Sequence, residues 1–140
     1  MDTAFLAFAH EAVAERGELQ GRAARIEDQA DVDNPNIVKA VAPLSAEREV
    51  AFARDFLRQV GPDHPPPHWH HIGVYAYRRP VLERFVSLPV SEREAGRRLE
   101  QMRALDNGMR IVVVRVDTVP LGVDTPAELE TARKMLRKTA

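Results

Sequence analysis

The feature that most constrains the fold is a run of mostly apolar, β-branched residues at positions 109–116. Such a run is typical of a strand buried on both faces, so other elements must cover both sides of its sheet. Helix and strand patterns follow one another along the chain in the order strand, helix, helix, strand, helix. This order favours an α/β fold.

The extended and irregular parts of the chain have weaker patterns. Residues 72–77 alternate in the manner of a strand, and residues 37–41 are a short strand candidate. Residues 61–67 are rich in proline and predict a loop. Residues 18–36 are polar and poorly periodic and end in a cluster of turn formers, while residues 43–60 remain ambiguous.

Helices are predicted from apolar spacing and from capping residues. Residues 3–16 have an amphipathic pattern that Gly17 can end. Pro80 can open a second helix, whose apolar face comprises Val81, Leu82, Phe85 and Val86.

Two capping boxes predict the starts of two further helices. In the first, Ser91 and Glu94 begin a helix that ends at residues 107–108 and buries Leu99, Met102 and Leu105. In the second, Thr125 and Glu128 flank Pro126 and begin the last helix, which turns inward Leu129, Ala132 and Leu136.

Length and charge exclude several classes of protein. The 140 residues predict one domain over 1–140, and a formal net charge of -1 argues against a strongly basic nucleic-acid surface. The absence of cysteine excludes disulfides and thiolate metal sites and fits a cytoplasmic protein. No apolar run approaches the roughly 20 residues that span a membrane.

Asp124 is the most informative single residue. Because Thr125 can cap the last helix, the Asp124 carboxylate is left free in a loop after a strand, where open α/β sheets bind ligands. A carboxylate there suits Mg²⁺. The alternative is an aspartate that only interacts favourably with the helix dipole.

Two other groups could carry chemistry. Glu100 and Gln101, in the middle of the predicted helix, could hydrogen-bond sugar hydroxyls, or they could simply form a solvated helix face. The histidines at 64, 68, 70 and 71 could bind Zn²⁺ or Ni²⁺, although a polar loop is the better explanation of the first three. His71 opens the predicted strand and could line up with Tyr75 and Tyr77, unless these side chains only pack in the core.

Three motifs taken together resemble the C-terminal part of the 3-deoxy-manno-octulosonate cytidylyltransferases, also called CMP-Kdo synthetases. They are HIGVYAYR at 71–78, LEQMRALDNG at 99–108 and GVDTPAEL at 122–129. The stretch at 33–39 resembles the family's D-P-N-V-V-K segment. The resemblance is strongest over residues 31–138 and covers the second half of a family member.

The resemblance implies a partial nucleotide-diphospho-sugar transferase fold (GT-A-like, Rossmann-like), with a mixed sheet flanked by helices, in a homodimer. It also implies transfer of CMP from CTP to Kdo, with release of pyrophosphate, for lipopolysaccharide synthesis. Asp124 matches the family's Mg²⁺-binding aspartate. His71 and Tyr75 match the strand facing the Kdo pocket, and Glu100 and Gln101 match a pair that contacts Kdo hydroxyls.

The sequence also departs from this family. The R-L-P-G-K-P loop that cradles the CTP phosphates and the Q-G-D-E-P segment do not occur in it. The family's S-R-A segment corresponds to Ala53, Arg54 and Asp55, which keeps an arginine that could meet the substrate. Arg97 stands where many members carry Glu.

We therefore expect a truncated cytidylyltransferase that lacks the CTP-phosphate-binding part and is inactive alone. One alternative is a non-catalytic sugar-acid-binding or dimerisation domain. The other is a histidine-rich metal-binding protein.

Overall fold

The computed structural model describes residues 18–119, 123 and 126–139, so the helix predicted at 3–16 lies outside the described residues. The strands are β1 (Leu19–Arg25), β2 (Lys39–Val41), β3 (Val50–Phe52), β4 (Asp55–Leu57), β5 (Trp69–Tyr77) and β6 (Ile111–Val116). The helices are α1 (Gln29–Asp33), α2 (Arg79–Ser87), α3 (Glu92–Arg97), α4 (Gln101–Asp106) and α5 (Pro126–Thr139). Among them, none has the length and apolar character that crossing a membrane requires.

The six strands form one mixed sheet in the order β3-β6-β1-β5-β2-β4. β1 pairs parallel with β6, and the other neighbouring strands pair antiparallel. The predicted α/β class and mixed sheet are therefore confirmed. One core cluster packs around β1 and β6, with Leu19, Ala23, Phe56, Phe85, Met102, Ile111 and Val113 among its buried members.

The central position of β1 contradicts the expectation that residues 18–36 are irregular. Leu19–Arg25 contains no β-branched or aromatic residue, so its local propensity for strand is low. Its pairing with β5 on one side and β6 on the other overrides that propensity. Leu19 and Ala23 are completely buried as a result.

The sheet curls until its two edges meet. β3 and β4 lie at opposite ends of the strand order, which in a flat sheet would place them about 24 Å apart. The chain between Phe52 and Asp55 can span at most about 11 Å. The curl is fixed by two backbone hydrogen bonds, from Ala53 N–H to the Ile111 carbonyl at 2.8 Å and from Arg54 N–H to the Val41 carbonyl at 2.7 Å.

The strongest strand predictions are confirmed. Residues 111–114 of β6 are all buried, as a strand covered on both faces requires. β5 includes the predicted residues 72–77 but begins at Trp69, so His71 lies inside the strand and does not open it. Pairing with Arg25 and Ala24 of β1 extends β5 at this end.

The helix predicted after Ser91 is interrupted. The Ser91–Glu94 capping box is present and starts α3, but Arg98 adopts a left-handed conformation with φ 54° and ends it. A second short helix, α4, starts at Gln101. Leu99 and Met102 are buried as predicted, and Leu105 is half-buried.

The predicted apolar faces of α2 and α5 are only partly buried. In α2, Phe85 is buried but Leu82 and Val86 are exposed, because they lie on a helical stripe about 100° away from the core-facing one. In α5, Leu129 and Leu136 are exposed, contrary to the expected inward face.

Candidate functional site

His71 and Tyr75 form a hydrogen-bonded pair on one face of β5. Side chains four apart on a strand share a face, and His71 Nε2 lies 2.6 Å from the Tyr75 hydroxyl oxygen. The Tyr75 and Tyr77 rings follow with centroids 6.1 Å apart. The predicted line of His71, Tyr75 and Tyr77 is present.

His71 is held in place by residues that the sequence did not single out. The Phe56 ring meets the imidazole edge-on with centroids 4.8 Å apart. On β1, a Cβ added at Gly21 would lie 3.3 Å from His71 Cε1, so glycine provides the space for the ring. A lone glycine inside a strand is the one sequence signal for this close approach.

The pair is uncharged at neutral pH. Burial lowers the pKa of His71 from 6.5 to about 4, with the backbone of Arg22 opposing the shift and His70 adding to it. Burial also raises the pKa of Tyr75 above its ordinary value, with Tyr77 and Glu100 adding to the effect. His71 is 6% exposed, and its Nδ1 has no partner at hydrogen-bond geometry within the described residues.

These protonation states favour recognition over proton transfer. A general base that works at neutral pH has a pKa near 7, which His71 does not have. A neutral imidazole and a phenol instead offer directional hydrogen bonds without charge. Such groups suit the hydroxyls of a polyol.

Glu100 lies close enough to this line of side chains to act on Tyr75 and Tyr77, and neither Glu100 nor Gln101 is in mid-helix as predicted. Glu100 is the N-cap of α4 and Gln101 its first residue, because of the break at Arg98. Glu100 is exposed and its charge helps raise the pKa values of Tyr75 and Tyr77, whereas Gln101 is buried. Only Glu100 of this pair faces solvent, so the two residues do not form a solvated helix face together.

A half-buried ion pair supports this side of the site. Arg103 donates from Nε at 2.8 Å and from Nη2 at 2.6 Å to the two carboxylate oxygens of Glu94. The same guanidinium lies 5.2 Å from the centre of the Phe85 ring. Burial raises the pKa of Tyr77 to about 12, and Glu100 adds to this shift while Arg103 opposes it.

Arg54 lies in a different place from these residues. Its side chain is exposed and lines a cavity of about 350 Å³ together with Pro43, Arg48, Val50 and Phe52. The other predicted substrate-binding residues do not line that cavity.

The predicted metal residue, Asp124, lies outside the described residues, as does its neighbour Thr125. Within the described part of the chain, no group of three His, Asp or Glu side chains is arranged to hold a metal ion. The described histidines at 64, 68, 70 and 71 therefore do not form the metal cluster considered above. His71 is bonded to Tyr75 instead.

No family model matches the chain. Individual relatives do. A 3-deoxy-manno-octulosonate cytidylyltransferase from Paramagnetospirillum magneticum is 55% identical over 112 residues, covering 80% of this chain and 46% of the relative. The enzyme of the same name from Parvibaculum lavamentivorans is 48% identical over 139 residues, covering 99% of this chain and 54% of the relative.

The fold is also similar to that of a solved protein. A structure of CMP:2-keto-3-deoxy-manno-octonic acid synthetase complexed with CTP superposes with a TM-score of 0.84 at 27% identity. The superposition covers 100% of this chain and 58% of the solved one. The chain thus spans about half the length of the curated relatives that it matches.

Proposed function

Because the chain belongs to the 3-deoxy-manno-octulosonate cytidylyltransferase family, over about half of its members' length, we propose that it carries the sugar-binding part of such an enzyme. The proposed reaction transfers CMP from CTP to Kdo and releases pyrophosphate. His71, Tyr75, Glu100 and Gln101 would bind the sugar acid. The observation that carries this proposal is the uncharged His71–Tyr75 pair beside Glu100.

In the proposed reaction, the anomeric hydroxyl of the sugar forms a bond to the α-phosphorus of CTP, and the bond to pyrophosphate breaks. The neutral His71–Tyr75 pair would hold sugar hydroxyls in a fixed orientation, and the Glu100 carboxylate would accept a hydrogen bond from another. This chain would therefore contribute to the reaction by positioning the sugar acid.

We propose that Asp124 binds Mg²⁺ together with the substrate phosphates. A carboxylate is the hard oxygen donor that Mg²⁺ prefers. When bound, the ion supplies neutralisation of charge on the phosphates. In Asp124→Asn, nucleotide binding by the chain should lose its dependence on Mg²⁺, whereas Kdo binding should not change.

Calorimetry with Kdo tests the sugar site directly. His70 and His71 are neighbours on opposite faces of β5, so His70→Ala is the matched control for His71→Ala. We expect His71→Ala to weaken Kdo binding at least about tenfold and His70→Ala to leave it unchanged. Tyr75→Phe removes one hydroxyl from the same pair and should weaken binding about fivefold. Equal binding by all three variants and the native chain would refute the proposed site.

We further propose that the 140-residue chain does not turn over CTP and Kdo by itself. This proposal rests on the absence of R-L-P-G-K-P and Q-G-D-E-P from its sequence. Incubation with CTP, Kdo and Mg²⁺ should release no pyrophosphate above the level given by a heat-denatured sample. Robust release would show this proposal to be wrong.

A second function, binding of a sugar acid without transfer, is favoured by the same geometry. The line of His71, Tyr75 and Tyr77 is formed in a chain that has neither nucleotide motif. This function predicts Kdo binding that is independent of CTP and of Mg²⁺. Binding that strengthens when CTP and Mg²⁺ are added would favour the transferase.

We propose that the protein is a cytoplasmic homodimer. The exposed Leu129 and Leu136 of α5 provide apolar surface, and the lack of cysteine suits a reducing compartment. Sedimentation analysis of the native chain should give twice the monomer mass of 15.7 kDa.

A further inference from the structure

An open cavity of about 630 Å³ lies between the end of β4, the end of α3 and the loop that precedes β2. Three arginines, Arg58, Arg97 and Arg98, line it together with Gly96. No residue assigned to the proposed sugar site is among its lining residues.

The guanidinium of Arg58 makes three hydrogen bonds, but none of them is to a carboxylate. Its guanidinium donates to the carbonyls of Arg97 at 2.8 Å, Pro35 at 3.1 Å and Arg98 at 3.1 Å. Carbonyl oxygens are neutral and do not compensate the charge. In the described part of the chain, neither Arg58 nor Arg98 takes part in a carboxylate ion pair.

The remaining charges near the cavity do not cancel those of Arg58 and Arg98. Arg97 pairs with Asp55 at 2.6 Å, but the same carboxylate also lies 3.5 Å from Arg93. Arg93 pairs in addition with Asp106. Asp55 and Asp106 are thus already paired with Arg97 and Arg93, and neither carboxylate pairs with Arg58 or Arg98.

The backbone on the cavity wall is fixed by further contacts to Arg58 and its neighbours. The ammonium of Lys39 is 1% exposed and donates to the Arg58 carbonyl at 2.9 Å and to the Asn34 carbonyl at 2.7 Å. Burial lowers the pKa of Lys39, and the nearby carboxylates of Asp33 and Asp31 oppose this shift. The segment that carries Arg58 is thus held between two other parts of the chain.

Arg98 occupies a position at which glycine is favoured. Its φ of 54° lies in the left-handed region, and it is the one such non-glycine residue among those the structure describes. A side chain kept there in spite of the conformational cost is a reason to look for its function. Arg98 is exposed and lines the cavity together with Arg58 and Arg97.

We propose that this cavity binds a multiply charged anion of the phosphate type. Guanidinium groups are planar donors that match phosphate oxygens with pairs of hydrogen bonds. Several such groups around one cavity suit an anion that carries more than one negative charge. The chain as a whole has a net charge of -1, so the attraction is local to this cavity.

Calorimetry of the native chain with inorganic pyrophosphate at low ionic strength tests the proposal. Arg98→Gly removes one guanidinium and suits the backbone conformation, so it should weaken binding about tenfold or more without loss of folding. Gly96 provides a second test, since a Cβ there would meet nothing within 4 Å. Gly96→Glu places a negative charge at the cavity and should abolish binding, whereas Gly96→Ala should retain native affinity.

Two controls separate this cavity from the proposed sugar site. Arg79, whose side chain is 89% exposed and paired with Glu83, is not among the residues that line the cavity, and Arg79→Ala should bind pyrophosphate as the native chain does. His71→Ala should likewise have no effect on pyrophosphate. The proposal is overturned if the native chain binds no pyrophosphate, or if Arg98→Gly and Gly96→Glu both bind it unchanged.

Discussion

The guanidinium of Arg97 lies 2.6 Å from the carboxylate of Asp55, a residue 42 positions earlier in the chain. Both residues depart from the sequence pattern that the chain resembles, which has Glu at the first position and Ala at the second. The same Nη1 of Arg97 also donates to the Phe56 carbonyl at 2.9 Å. The two departures therefore form one ion pair across the contact between α3 and β4.

Replacement of either partner should destabilise the protein, and replacement of both should restore much of the loss. Asp55→Ala leaves the Arg97 side chain, 32% exposed, without its carboxylate and should lower the free energy of unfolding by about 1–2 kcal/mol. Arg97→Glu brings two carboxylates together and should be worse. In the double variant Asp55→Ala/Arg97→Glu, urea unfolding should show smaller destabilisation than in Arg97→Glu alone. Additive effects in this double-mutant cycle would disprove the coupling.

The stability of the protein should fall as the pH is lowered through the range in which the unfolded histidine titrates. The folded pKa of His71 is lowered, so between pH 6.5 and about 4 the unfolded chain binds a proton that the folded protein does not. Stability from this group is full above pH 6.5 and is lost towards pH 4. The difference from 6.5 to about 4 corresponds to about 3 kcal/mol. Unfolding of native protein and His71→Leu at pH 7 and 4.5 measures it, and equal losses in both would contradict the prediction.

The ion pair of Glu94 and Arg103 should contribute more to stability than the exposed ion pair of Arg79 and Glu83. Its side chains are 11% and 17% exposed, and Glu94 also completes the capping box of α3. Glu94→Gln should lower the Tm by about 5 °C. Glu83→Gln breaks the pair with Arg79, whose side chains are 62% and 89% exposed, and should change the Tm by less than about 1 °C. Similar changes in the two variants would show that burial is not what distinguishes them.

Arg98→Gly should stabilise the fold. A non-glycine residue in the left-handed region costs about 1 kcal/mol, and glycine at the end of a helix removes that cost. Chemical denaturation should therefore show a gain of about 1 kcal/mol in the free energy of unfolding. Arg98→Asn is the comparison variant, because asparagine tolerates the left-handed region, and it should give a smaller gain. Arg93→Gly is not a suitable comparison, because Arg93 lies inside α3.

Elements determined by local chemistry could be predicted from the sequence. The capping box at Ser91, the apolar run of β6 and the alternation in β5 each depend on residues close in sequence. The pairing of His71 with Tyr75 is similarly a property of one strand.

Features that depend on distant partners were predicted poorly. β1 has low strand propensity and forms because β5 and β6 pair with it. The break falls at Arg98 and not at Gly96, and the carbonyls at 97 and 98 are bonded by Arg58, some 40 positions away. The apolar side chains of α2 and α5 predicted helices correctly, but their pattern could not specify which stripes the core covers.

The curl of the sheet makes its two edges consecutive parts of one strand-like segment, from β3 through Ala53 and Arg54 to β4. Because only Ala53 and Arg54 connect β3 to β4, neither edge strand can separate from its neighbouring strand without displacing the other edge strand. Opening of the β3–β6 contact and of the β2–β4 contact is therefore a single cooperative event. The amide hydrogens of Ala53 and Arg54, bonded to opposite sides of the sheet, should have equal protection factors in hydrogen exchange.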